Sequence, residues 1–409
     1  MAIQEQKTII KNFVSSIPSS YIGAERVTYI LDNIDLLKPE DKVELRNLIN
    51  KLLTSMIERD ASDIEIGGHG NNGYVWLRIY GKKERVKDFP QFSDDESAML
   101  IINLLNPNQR KFLSLTRNLD FSYTFLYERK NTYVRFRADA YFDLDTLALN
   151  MRAINTNLRT IESLEFHPNV VKTMSHTYIK HGLSLVTGIT GSGKSTTLDA
   201  IIDYHNKIDP AHIVIIASPV EYVHTSNVAI IKHREVGRDV LTFKDGVAQA
   251  LRQDPDIIVI AEMRDPETIL AALEVTDTGH KVFSTLHTSS AVESIDRIIA
   301  EVHPNEQERV RNRLADVLIS VVSQKLVPSL DGKRILAKEV LLVNYNVRAA
   351  IKNNNTSEIY MMINQGGQQG MITMEQDLKR LYLSKKITLD TAVAYSNNKT
   401  RMQQILTAT

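Results

Sequence analysis

The residues with the clearest chemistry lie in one stretch, LSLVTGITGSGKSTTL, residues 183–198. It carries Gly188, Gly191 and Gly193, followed directly by Lys194, Ser195 and Thr196. An apolar run of strand length (183–186) precedes the glycines and a helix-compatible run follows, the context a GxxxxGK[ST] phosphate loop requires. Glycines let such a loop wrap with its N–H groups turned inward on an anion. A helix starting near Lys194 adds its positive dipole end to the same place. The Lys194 ammonium is expected to reach β- and γ-phosphates, and the Ser195 hydroxyl to bind Mg²⁺. Gly188, Thr190, Gly191, Ser192, Gly193, Lys194, Ser195 and Thr196 together form the candidate nucleotide-binding loop.

Carboxylates and a histidine complete the chemistry. Residues 256–262, DIIVIAE, read as an apolar strand ending in an acid, where the carboxyl edge of a parallel sheet meets its ligand. Glu262 is a candidate to orient or deprotonate an attacking water beside Mg²⁺, so Ser195 and Glu262 are the expected metal-side residues. A buried strand followed by a surface Glu is common, and the upstream phosphate loop is what gives this run its weight. Pro219-Val220-Glu221 follows another strand and offers a second carboxylate at the same edge. Thr278-Gly279-His280 and Thr285-Leu286-His287-Thr288 bracket a further strand. His287 ends it on the ligand side, where it is a candidate to sense or bind a γ-phosphate; the plainer reading is a structural histidine.

The elements that must hold these groups are legible in outline. Strand candidates at 183–186, 212–216, 257–260 and 282–285 alternate with helices, which argues for a mostly parallel sheet with helices on both faces. Ile257-Ile258-Val259-Ile260 is the continuous apolar run of a strand buried on both sides. Upstream the pattern differs. Pro39-Glu40 opens a helix whose Leu45, Leu48, Ile49, Leu52, Leu53 and Met56 share one face. Residues 93–96 form a capping box ahead of the apolar run 98–105. Strand candidates at 64–66, 74–80, 121–126, 133–141 and 148–154, with 81–83 as a turn, give an α+β domain with an antiparallel sheet. Arg135, Arg137 and Arg152 sit on these strands, either as a solvated sheet face or as guanidiniums that reach a phosphate across a cleft. Residues 155–168 read as a linker and 1–35 show only a weak helical pattern. The chain is thus expected to divide into an N-terminal extension (1–45), an α+β domain (46–160) and a P-loop α/β domain (168–409).

Composition narrows the function. A chain of 409 residues suggests two or three domains, and 43% apolar with 24% charged residues is ordinary for a globular protein. Forty-nine basic residues balance forty-nine acidic ones, so nucleic acid is not an expected partner. The absence of cysteine rules out disulfides and cysteine zinc sites and fits a reducing cytoplasm. There is no signal-peptide pattern and no apolar run of about 18 residues, so membrane contact is expected to be peripheral or through partners.

Taken together, TGITGSGKSTTL, HREVGRD, LRQDPDIIVIAEMRDPETI, TGHKVFSTLHTSSAVESIDRI and INQGGQQGM resemble the PilT-like pilus retraction ATPases of the secretion-ATPase superfamily. The resemblance extends back through ERDASDIEI, NLDFSYTF and VRFRADAYF, roughly residues 50–400, and NVRAAIK (346–352) resembles the AIRNLIRE motif of that family. It implies a PAS-like N-terminal domain followed by a RecA-like ATPase domain, assembled as a homohexamer that hydrolyses ATP with Mg²⁺. It also implies an Asp box around Glu221, a Walker B motif at Glu262, a His box from Thr278 to His287, and approach of Arg135, Arg137 and Arg152 to nucleotide. The implied setting is the cytoplasmic side of a bacterial inner membrane, against a platform protein of a pilus or secretion system. Three departures stand out. Ala217-Ser218-Pro219-Val220-Glu221 lacks the first two acids of the family's Glu-Asp-Pro-x-Glu; Ile189 and Ala261 replace a usual Pro and Gly; residues up to about 45 have no recognised counterpart. Without the four-cysteine zinc motif frequent in assembly ATPases, the sequence favours a retraction motor, or a PilT-like ATPase of a conjugation or type IVB secretion system. A nucleic-acid-translocating RecA-like ATPase is weighed against by the zero net charge, and a non-hydrolysing ATP-binding scaffold is the reading the altered Asp box would favour.

Overall fold

The computed structural model describes residues 2–154 and 158–407. These divide into two compact units, the first taking in residues up to 154 with the segments Ser218–Glu221 and Gly237–Asp239, the second the remainder. Of the expected linker, residues 155–157 lie outside the described residues, while Ile161 and Leu164 are already buried in the second unit.

The first unit runs α1 (Ala2–Val14), α2 (Ala24–Asn33), α3 (Pro39–Glu58), β1 (Ala61–Gly67), β2 (Trp76–Ile79), β3 (Lys82–Arg85), α4 (Asp94–Ile102), α5 (Pro107–Thr116), β4 (Asn118–Tyr127), β5 (Thr132–Asp143) and β6 (Thr146–Ala153). Its sheet is antiparallel throughout, in the order β3-β2-β1-β6-β5-β4. α3 starts with Pro39 at its first position, and every residue of its predicted apolar face is buried. Ser93 and Glu96 form the predicted capping box of α4, and Asn106 with Gln109 forms a second one on α5.

Two features differ from the sequence reading. The described part of the N-terminal extension packs into the first unit, where Ile10, Ile17, Val27, Ile30 and Ile34 share one core with Leu45 and the α3 face. α2 is only 10 residues long and buries just Val27 and Ile30, too short a pattern to register as periodic. It is fixed instead by Arg26, whose Nη2 and Nε lie 2.6 and 2.9 Å from Asp95 Oδ2 in the first turn of α4. The expected turn at 81–83 is also displaced. Ile79 pairs with Lys82, and the two-residue turn is Tyr80-Gly81, with φ of 46° and 83°. Two positive φ values match the twist of a tight hairpin, which leaves the all-polar KKER free to form the edge strand β3.

The second unit runs α6 (Pro168–Met174), β7 (Gly182–Thr187), α7 (Lys194–Ile208), β8 (His212–Ala217), β9 (Ile230–Glu235), α8 (Phe243–Ala250), β10 (Ile257–Ile260), α9 (Pro266–Asp277), β11 (Lys281–Leu286), α10 (Ala291–Glu301), α11 (Pro304–Val317), β12 (Leu318–Pro328), β13 (Arg334–Leu342), α12 (Tyr345–Lys352), α13 (Ile359–Gln365), α14 (Met374–Leu383), α15 (Leu389–Tyr395) and α16 (Lys399–Thr407). The sheet order is β13-β12-β7-β11-β10-β8-β9, parallel except for the β12–β13 pair. The four strands read from sequence are β7, β8, β10 and β11, and β7, β10 and β11 are buried along their whole length. β12 and β13 escape a sequence reading because they bury Ser320, Ser323, Gln324, Lys338 and Glu339 among their apolar residues. A second, smaller core of Val327, Ala337, Met374, Leu378, Leu381, Ile387, Ala392 and Met402 ties α14 to α16 onto the β12–β13 pair.

Candidate functional site

β7 lies between β11 and β12, with Thr187 in register with Leu286 on one side and Ser323 on the other. The loop that leaves it, residues 188–193, therefore emerges at the carboxyl ends of β7 and β11 and alongside the middle of β12. Gly188, Gly191 and Gly193 take φ of 151°, 79° and 91°, a region that side chains disfavour. A Cβ on Gly188 would collide with the Ser192 side chain and the Gln324 carbonyl, whereas one on Gly191 would meet nothing within 4 Å. α7 begins at Lys194 with Gly193 as its N-cap, so no side chain caps its first N–H groups. Side chains cap α8, α9, α10, α12 and α14. Uncapped N–H groups behind a left-handed glycine loop are the donor set an anion needs, and the residues present fit a phosphate chain. Ser195 and Thr196 are exposed residues on the first turn of α7. Lys194 folds back along the loop, donating from Nζ to Gly188 O (2.8 Å) and Ile189 O (3.3 Å).

The loop is braced by a residue the sequence reading did not single out. Gln324 of β12 is 1% exposed. Its Nε2 donates to Ser192 O at 2.9 Å, and its Oε1 accepts from Thr197 Oγ1 at 3.0 Å. One amide thus ties the phosphate loop to the first turn of α7. Beside it, Ser323 Oγ and Thr187 Oγ1 lie 2.7 Å apart, and Ser294 Oγ donates to Thr187 Oγ1 at 3.4 Å. The only signal in the sequence is a glutamine inside a strand-length apolar segment, and a buried amide of that kind must be satisfied by something.

Glu262 is positioned by β11. Thr285 Oγ1 donates to Ala261 O at 2.6 Å and Met263 N donates to Thr285 O at 3.2 Å, which fixes the backbone on either side of the carboxylate. Glu262 Oε1 lies 3.1 Å from His287 Nε2, and Oε2 lies 2.8 Å from Arg264 Nη2. His287 Nδ1 stands 3.5 Å from both Lys194 Nζ and Thr190 Oγ1. Burial holds the imidazole below its ordinary pKa, Lys194 lowers it further, and Glu262 acts in the opposite sense. A neutral ring beside a carboxylate and an ammonium has one consistent tautomer: Nε2–H donates to Glu262, and the Nδ1 lone pair faces Lys194. Lys194, His287 and Glu262 are therefore brought into one row, although they are separated by 93 and 25 positions in the chain. His280 does not join it; its Nδ1 lies 3.0 Å from Thr278 Oγ1 in its own turn.

The remaining predicted site residues belong to the first unit. Glu221 is in the segment Ser218–Glu221 that belongs to the first unit. Arg135, Arg137 and Arg152 also belong to that unit, with Arg137 directly opposite Arg152 across β5 and β6. Arg137 Nη2 lies 3.3 Å from Asp120, Arg152 Nη2 lies 2.7 Å from the buried Asp63, and Arg135 Nη1 donates to Thr124 Oγ1 at 3.1 Å. Among the described residues no group of three or more His, Asp or Glu side chains is arranged to hold a metal ion. The hard oxygens of Ser195 and Glu262 suit a cation that keeps most of its shell as phosphate and water oxygens, as Mg²⁺ does. No helix among the described residues is long and apolar enough to cross a membrane.

Known proteins are similar to this chain. A family model described as type II/IV secretion system protein matches residues 38–405. A twitching motility protein of Neisseria gonorrhoeae is 37% identical over 327 residues, 80% of this chain and 85% of that protein. The type IV pilus retraction ATPase PilT of Pseudomonas aeruginosa is 36% identical over 345 residues, covering 84% and 96%. A crystal structure of the pilus retraction motor PilT with bound ADP superposes with a TM-score of 0.74 at 34% identity, over 87% of this chain and 98% of that one. The Legionella pneumophila ATPase DotB gives a TM-score of 0.73 at 26% identity, over 88% and 95%.

Proposed function

This chain belongs to the type II/IV secretion system protein family, and on that premise we propose that it is an ATP-hydrolysing motor that powers retraction of a type IV pilus. The observation that carries the reading is the row Lys194–His287–Glu262 beside a glycine cradle and an uncapped helix start.

In this reading residues 188–196 wrap the phosphates of ATP with backbone N–H groups, and Lys194 exchanges its two carbonyl acceptors for β- and γ-phosphate oxygens. The Ser195 hydroxyl and the Glu262 carboxylate would hold Mg²⁺, which when bound neutralises charge on the phosphates. Glu262, oriented by the His287 Nε2–H, orients the attacking water and accepts its proton. His287 Nδ1 faces the loop where the γ-phosphate ends; the anion favours the imidazolium, whose Nδ1–H then donates to a phosphate oxygen while Nε2–H stays on Glu262, and this gain of a proton is what makes His287 the sensor. Glu221 is assigned a supporting carboxylate role, and Arg135, Arg137 and Arg152 are assigned contacts to nucleotide phosphates in the assembled motor. The assembly is a homohexamer working on a platform protein at the cytoplasmic face of a bacterial inner membrane.

Lys194→Ala tests the core of this. The purified variant should keep its fold by circular dichroism, bind ATP more weakly and lose turnover by about 100-fold or more. Wild-type ATPase activity in that variant overturns the site. Mass measured in solution with a non-hydrolysable ATP analogue should approach six protomers; a strict monomer overturns the ring.

A further inference from the structure

We propose that Asn397 and Glu339 are positioning residues for His287: they hold the 288–291 loop from the C-terminal side, so that the turn before α16 sets how the site responds to a γ-phosphate. The proposal rests on the reading of His287 as the γ-phosphate sensor.

The loop that follows His287 has local and distant ties. Locally, Ser289 N donates to Glu293 Oε2 at 2.7 Å, Thr288 and Ser294 hydroxyls lie 2.6 Å apart, and Arg297 Nη1 donates to His287 O at 2.8 Å. The distant ties come from elements 48 and 108 residues away in the chain. Glu339 Oε1 of β13 accepts from Ala291 N at 2.8 Å, and Asn397 Nδ2 donates to Ser289 O at 3.2 Å. Glu339 is almost wholly buried, and burial raises its carboxyl to a pKa of about 7. An apolar residue would fill that space at lower desolvation cost, so the carboxyl is there for the backbone contacts it makes, to Ala291 and to Met374.

Asn397 has only one way to point. Its Oδ1 accepts from Lys325 Nζ at 2.6 Å, which turns Nδ2 toward Ser289. Its backbone is pinned as well, since Asn397 N and Asn398 N both donate to Glu375 Oε1, at 2.9 and 2.8 Å. Glu375 is buried and takes Tyr360 Oη on its other oxygen at 3.1 Å. Lys325 also donates to Tyr395 O at 2.8 Å. It follows Gln324 directly, and neighbouring strand residues face opposite ways, so β12 touches the phosphate loop on one face and the C-terminal turn on the other. A displacement of the 395–398 turn is thereby carried to Ser289, two residues from His287. By reciprocity, a γ-phosphate that engages His287 biases that turn.

Asn397→Asp keeps the acceptor for Lys325 and the size of the side chain, and replaces the donor to Ser289 O by a charged oxygen that repels it. The full-length wild type, His287→Ala, Asn397→Asp and the double variant are titrated with ADP and with a non-hydrolysable ATP analogue. Asn397→Asp should weaken the analogue about three- to tenfold while ADP stays within about twofold, and should add nothing in the His287→Ala background. Glu339→Ala should behave in the same way, and Glu339→Gln, which retains an acceptor for Ala291 N, should recover most of the loss. Wild-type binding by Asn397→Asp, equal loss of both nucleotides, or additivity with His287→Ala overturns the proposal. An unchanged analogue-to-ADP ratio in His287→Ala overturns instead the sensor reading beneath it. If Glu339→Ala does not fold, the Asn397 cycle still decides.

Discussion

Replacing Gln324 by Met keeps the length and volume of the side chain and deletes both ends of the brace. Ser192 O loses its donor at 2.9 Å and Thr197 Oγ1 its acceptor at 3.0 Å. Ser192 and Thr197 are buried residues, 2% and 1% exposed, so water does not replace either bond. A net value of about 1 kcal/mol per bond, plus the desolvation penalty of leaving a partner unpaired, gives roughly 2–4 kcal/mol in total. For a unit of this size, each kcal/mol moves the melting midpoint by about 2–4 °C, so a fall of roughly 4–16 °C is expected in the transition of the second unit. The loss should be larger for nucleotide binding than for a substitution elsewhere on β12, because the released backbone is the phosphate loop itself. The assay is thermal unfolding of Gln324→Met with and without saturating ADP. Both the unliganded midpoint and the ADP-induced upshift should fall. Gln324→Glu sharpens the test: it keeps the acceptor for Thr197 but sets a carboxylate against Ser192 O and the anion site, and should bind ADP more weakly still. If Gln324→Met melts with the wild type and shows the same ADP shift, the brace carries no energy and the reasoning fails.

Further outcomes are expected from the carboxylates and from a buried lysine. Glu262→Gln keeps the shape that His287 and Arg264 hold but loses the basicity needed near water, so ATP should bind while turnover falls by about 100-fold or more. With Ala217 and Ser218 in place of acids, Glu221 is the remaining carboxylate of its segment, and Glu221→Ala should cut the steady-state rate nearly as far with an unchanged melting curve; a normal rate refutes the assignment. Lys281 is fully buried, donates to Thr173 O and Ile179 O at 3.1 and 3.0 Å, and is pushed by burial from 10.5 to a pKa of about 7. Between those values the unfolded chain binds more protons than the folded one, so this group adds stability as pH rises from about 7 toward 10.5, and that stability is lost as pH falls again. The stability of wild type relative to Lys281→Met should therefore rise with pH in this window; a difference that does not change with pH contradicts the assignment.

The phosphate loop was legible in the sequence because its chemistry is local. Three glycines, a lysine and a serine within eight positions dictate the backbone, the helix start and the charge with little help from the rest of the chain. The α3 face, the Ser93 capping box and the apolar run Ile257–Ile260 were legible for the same reason, since local periodicity and caps encode local backbone. The short N-terminal helices were not, because their apolar residues become a pattern only when packed on α3 and α4. Nor were β12 and β13, whose Gln324, Lys338 and Glu339 look like surface residues until their buried partners are known. The row Lys194–His287–Glu262 belongs to the same class. Each residue was a candidate at its own place in the chain, but nothing local joins the three. What joins them is the parallel register that sets Thr187 beside Leu286 and Ile260 beside Ser284, and such pairing between distant segments is fixed by burial of whole strands in a common sheet rather than by any local spacing.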